Sequence, residues 1–91
     1  MSTSDSTRRL IRTIIKTILV CNAPKPLTAR EISDVINSNN FGLRGKHVPP
    51  RLVTTYIRED WSRVSNSMLH EVHGEKGLDG RYSFWMPKVG E

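Results

Sequence analysis

Two proline clusters decide how this chain can be divided. Pro24 and Pro26, in Asn22-Ala23-Pro24-Lys25-Pro26, end one helix, and the pair Pro49-Pro50 fits the start of another. Proline supplies no amide donor and pushes its predecessor out of helical geometry. Ahead of the first cluster stand Leu10, Ile11, Ile14, Ile15, Ile18 and Leu19, with Arg9, Arg12 and Lys16 between them. Pairs of apolar residues recurring at this interval make one stripe on a helix, so the spacing predicts a first helix with its basic residues on the other side. The longest apolar run, Leu10 to Cys21, is interrupted by Arg12 and Lys16 and falls short of the ~18 residues a membrane span needs. The chain is therefore not expected to enter a membrane. Cys21 is its one cysteine. It cannot close an internal disulfide, which points to an intracellular setting and to Cys21 as a small buried apolar residue.

Past the first proline cluster, Leu27-Thr28-Ala29-Arg30-Glu31-Ile32 carries the signature of a helix start. Thr28 and Glu31 form a capping box, and Leu27 with Ile32 has the spacing of a hydrophobic staple. The second helix is expected to bury Ile32, Val35 and Ile36 and to give out at Asn37-Ser38-Asn39-Asn40. Phe41 to Val48, with Gly42 and Gly45, reads as a connecting loop. Pro50 suits the first turn of a third helix, which ends between Asp60 and Asn66. At ~100° per residue Leu52, Val53, Tyr56, Ile57 and Val64 fall on one side of it, and Arg51, Thr54, Thr55, Arg58 and Ser62 on the other.

Two stretches of strand-like composition follow, Met68 to Val72 and Arg81 to Met86. The glycine-punctuated His73 to Gly80 between them reads as the turn of a β-hairpin. In such a strand Tyr82, Phe84 and Met86 share one face and Ser83 and Trp85 the other. Trp61 and at least one of Phe84 and Trp85 are expected in the core. The expected fold is thus α+β, a three-helix bundle followed by a two-stranded β-hairpin. It forms one domain over residues 8–88, with residues 1–7 a disordered tail and residues 89–91 a second.

Charge is divided unevenly along the chain. Residues 8–58 hold ten basic groups against Glu31 and Asp34, whereas residues 59–91 hold four against six acids, out of a net +5 overall. A basic balance favours polyanionic partners.

Three helices and a hairpin in this order resemble the winged helix-turn-helix superfamily. Within it, Leu27-Thr28-Ala29-Arg30-Glu31-Ile32 followed by Gly45-Lys46 ahead of Pro49-Pro50 looks like the HARE-type modules of chromatin-associated proteins. Ser83-Phe84-Trp85 looks like the closing strand of fork-head domains. The chain departs from a compact helix-turn-helix in the long loop from Asn39 to Pro49. The resemblance implies binding of double-stranded DNA, a role in transcription or chromatin regulation, and a nuclear location in a eukaryote or a cytoplasmic, nucleoid one otherwise.

The residues themselves point the same way. The B-form major groove admits a helix whose outer face is polar, cationic and free of core duties. The third helix offers Arg51, Thr54, Thr55 and Arg58 in one line, arginines for guanine or phosphate and threonines for phosphate or a thymine methyl. Arg44, Lys46 and His47 in the loop ahead of it are expected to add phosphate contacts, and Lys76 and Arg81, flanking the hairpin turn, a smaller share. The competing expectation is a winged helix used for protein contacts, with Trp85, Phe84 or the wing as hydrophobic anchor. A third, a transit peptide or membrane-surface helix at Met1 to Val20, would strip the core of its isoleucines.

Catalysis is not expected. No Gly-x-Ser-x-Gly elbow, phosphate-binding glycine loop or His-Glu-x-x-His occurs. His70 and His73 point to opposite faces of a strand, and one cysteine cannot complete a thiolate zinc set, so neither a metal nor another cofactor is expected.

Overall fold

The computed structural model describes residues 5–39, 41, 43, 46–62 and 69–88. They form a small α+β domain of three helices and a three-stranded antiparallel sheet. The elements run α1 (Asp5–Asn22), β1 (Leu27–Thr28), α2 (Ala29–Asn39), α3 (Pro50–Trp61), β2 (His73–Lys76) and β3 (Tyr82–Trp85).

α1 begins at Asp5, inside the stretch assigned to the tail. Its stripe is buried at Ile11, Ile14, Ile15, Ile18 and Leu19, but Leu10 lies at the stripe's edge and is exposed. Cys21 is exposed too, contrary to expectation. Cys21 falls at the edge of the stripe, beside the direction of Ile14, and one residue short of the end of the helix, where little packs over it.

The capping box forms as its sequence requires. The Thr28 amide donates to Glu31 Oε1 at 2.9 Å and the Glu31 amide to Thr28 Oγ1 at 3.1 Å. Leu27 and Ile32, the staple pair, are both buried. α2 buries Ile32, Ser33 and Ile36. Val35 is exposed, and Ser33 takes a buried place because its hydroxyl donates to the Val48 carbonyl. Asn37 completes this tie: its amide donates to the Val48 carbonyl at 3.0 Å and its Oδ1 accepts the Val48 N–H at 2.9 Å. A side chain thereby pairs with backbone as a strand would, holding the segment before α3 against α2.

Pro49 is extended at the start of α3, with Pro50 in the first turn. Val53, Tyr56 and Ile57 are buried as the periodicity predicts and Leu52 is half-buried, while Val64 lies outside the described residues. Trp61 and Phe84 both belong to the core region, Phe84 fully buried and Trp61 packed against it.

The sheet differs most from expectation. Its first hairpin strand is His73–Lys76, within the stretch read as a turn. The part of Met68 to Val72 that is described, Leu69 to Val72, forms no strand. The turn is shorter, with the Gly77 N–H donating to the Arg81 carbonyl at 2.7 Å and the Gly80 N–H to the Gly77 carbonyl at 3.0 Å. Gly80 has φ +82°, a left-handed conformation that glycine adopts without steric cost. In the hairpin, His73 faces Trp85, Gly74 faces Phe84, Glu75 faces Ser83 and Lys76 faces Tyr82. A third strand joins from the other side: Leu27 pairs with Phe84 and Thr28 with Ser83, giving the order β1-β3-β2. β1 thus ties the start of α2 to the hairpin.

Candidate nucleic-acid interface

Of the predicted contact residues, the outer face of α3 presents Arg51, Thr55 and Arg58 to solvent, with Thr54 half-buried beside them. The Thr55 hydroxyl donates to the Arg51 carbonyl at 2.8 Å. What Thr55 offers outward is therefore its methyl group and an acceptor oxygen.

The acids of this helix are turned elsewhere. Glu59 and Asp60 both meet Arg12 of α1: Glu59 Oε1 lies 3.0 Å from Arg12 Nη2, and Asp60 Oδ1 lies 3.2 Å from Arg12 Nε. The Arg12 guanidinium also sits 4.6 Å from the centroid of the Tyr56 ring, within cation–π range. Asp60 is buried, and its Oδ2 accepts the Leu69 amide at 3.0 Å. Arg12 is therefore not on the solvent side of α1, where the sequence reading placed it. It is a packing residue that bridges both carboxylates of α3 and offsets part of their charge. The outward face of α3 is left cationic.

Lys46 and His47 are exposed in the segment leading into α3, while Arg44 lies outside the described residues. Lys76 and Arg81 are exposed on the hairpin. The Arg81 amide donates to Asp79 Oδ1 at 3.1 Å, and Arg81 Nε stands 3.9 Å from Asp79 Oδ2. With both side chains largely in water, such a pair is worth little.

The fold brings Arg51, Thr54 and Arg81 to one cleft of about 350 Å³ between the start of α2, the start of α3 and the hairpin turn. Arg30, Thr28 and Tyr82 complete its polar lining. Lys76, across the hairpin from Tyr82, does not line it. Arg30 was not anticipated. In the sequence it is one more solvent-facing residue in a first helical turn, and only the β1–β3 pairing carries it to the hairpin.

Among the described residues no group of three His, Cys, Asp or Glu side chains comes together that could hold a metal ion, and no helix is long and apolar enough to cross a membrane. No protein-family model, curated protein or solved structure matches the chain.

Proposed function

We propose that this chain is a winged-helix domain that binds double-stranded DNA. In this reading α3 lies in the major groove through Arg51, Thr54, Thr55 and Arg58, while Lys46, His47 and the hairpin residues Lys76 and Arg81 meet phosphates. The order α1-β1-α2-α3-β2-β3 and the strand order β1-β3-β2 support the fold assignment. One observation carries the function: Asp60 is buried and the half-exposed Glu59 is paired with Arg12, so the line of Arg51, Thr54, Thr55 and Arg58 has only a carboxylate already engaged by a cation at its edge. A helix so arranged is attracted to a polyanion and matches the donor and acceptor pattern of base edges. The test is a fluorescence-anisotropy titration against short duplexes at low and near-physiological salt. Binding is expected to fall steeply with salt and to collapse in Arg51→Ala/Arg58→Ala.

A second reading has its own observation. On the outer face of the sheet Trp85 stacks on His73, ring centroids 5.7 Å apart and planes within 17°. Trp85 also lines a shallow groove with Pro24 and Pro26. A half-exposed tryptophan beside prolines suits a protein contact. Failure of the folded domain to bind any duplex at low salt would favour this face over α3.

A further inference from the structure

Three arginines from three different elements line the cleft beside α3: Arg30 from α2, Arg51 from α3 and Arg81 from the hairpin. None of the residues lining it is acidic. Like charges that share a cleft repel one another, and a bound anion reverses the sign of that interaction. Guanidinium groups are also the side chains best shaped for phosphate, since their planar fork offers paired donors. Tyr82 and Thr54, both uncharged, belong to the same lining. At about 350 Å³ the space is roughly ten times the ~30 Å³ share of a water molecule, ample for a phosphodiester group.

We propose that this cleft seats one backbone phosphate of a DNA duplex, clamped jointly by Arg30, Arg51 and Arg81. The assignment rests on the DNA-binding reading above and changes the roles within it. Arg51 becomes a positioning contact to the backbone rather than a reader of bases. Base reading falls to Thr55 and Arg58, up to two turns and ~10 Å further along α3. Arg30, on a different helix, becomes part of the interface. Because α2, α3 and the hairpin each contribute one guanidinium, a single phosphate in this seat fixes the register of the whole domain on the duplex.

The seat is tested by anisotropy titration of the full chain against two duplexes of unrelated sequence. The proteins are wild type, Arg30→Ala, Arg81→Ala, their double variant, and Arg58→Ala. Thermal melts of each confirm folding, which exposed positions such as these should leave intact. Each seat variant is expected to weaken binding about tenfold, equally on both duplexes, as befits a charged hydrogen bond to the backbone. Side chains that share one phosphate are coupled, so the double variant should lose clearly less than the product of the two single losses. Losses that multiply would mean separate phosphates and overturn the shared seat. Wild-type affinity in Arg30→Ala, with binding lost in Arg58→Ala, would discard the seat and leave the α3 reading standing. No binding by the wild-type protein at low salt would remove both.

Discussion

The indole of Trp61 occupies the space in which a side chain at residue 74 would begin. A Cβ built on Gly74 would stand 2.6 Å from Trp61 Cη2, 2.9 Å from Cζ2 and 3.1 Å from Phe84 Cδ1. The ring has little room to retreat, because Trp61 Nε1 donates to the Val72 carbonyl at 2.7 Å and the indole packs at a tilt of 54° against Phe84, ring centroids 6.0 Å apart. Gly74→Ala is therefore expected to destabilise the domain by about 1–3 kcal/mol, the usual cost of overpacking. Urea denaturation of the variant should show it. The same substitution should cost much less in a Trp61→Leu background, where the obstructing ring is gone.

This contact also explains why the hairpin was misplaced from sequence. A strand is recognised by apolar side chains at alternate positions. In His73–Lys76 the position facing Phe84 is glycine, because a tryptophan from α3 supplies the apolar cover instead. The strand is polar throughout and reads as a turn. β1 is hidden in the sequence for a different reason: Leu27 and Thr28 carry the local signals of a staple and a capping box, and their pairing with β3 is non-local. The helices, whose signals are local, were legible, although α1 begins three residues ahead of the expected boundary at residue 8. The cationic face of α3 was legible as well. That its acids are engaged by Arg12 was not, since the partners lie on helices far apart in sequence. Arg30 stayed hidden because its neighbours Arg51 and Arg81 come from two other elements.

The Arg12–Asp60 pair should be a major stability element. Asp60 is 1% exposed, and removing Arg12 would leave its carboxylate buried without that partner. Breaking such a pair from one side costs about 3–5 kcal/mol. Arg12→Ala is expected to lose that much in denaturant unfolding, together with its contact on Tyr56. Arg58→Ala, on the exposed face of the neighbouring helix, should change stability by no more than about 0.5 kcal/mol. Equal effects at the two arginines would contradict the division of labour drawn here.

Asn37 offers a sharper probe of how α3 is held. Its side chain both donates to and accepts from the Val48 backbone, just ahead of the proline pair. Asn37→Leu removes both bonds and leaves the Val48 N–H without its acceptor, at an expected cost of about 1–3 kcal/mol. Hydrogen exchange should report the change first at the Val48 amide, which the side chain protects in the wild-type protein.

The core prediction contrasts a helix stripe with a solvent face. Ile14 is 6% exposed within the α1 stripe, so Ile14→Ala should cost about 2–5 kcal/mol through the cavity it leaves. Arg51→Ala should leave the melting temperature nearly unchanged while weakening duplex binding. A stability loss at Arg51 comparable to that at Ile14 would mean that its side chain packs rather than binds.

Base reading and backbone attraction are separable on this interface by their dependence on sequence. Arg58 lies on the exposed face of α3 and does not line the arginine cleft, so in the proposed arrangement its contact would be to a base edge. Arg58→Ala should weaken the preferred duplex by about 1–3 kcal/mol and flatten discrimination among sequences at one position. Lys46, in the segment before α3, meets only the backbone in this arrangement. Lys46→Ala should weaken every duplex about equally and reduce the slope of log affinity against log salt by roughly one. Site selection followed by salt titration of both variants makes the comparison. If Arg58→Ala weakens all sequences alike, as Lys46→Ala is expected to do, α3 holds DNA by charge without reading it.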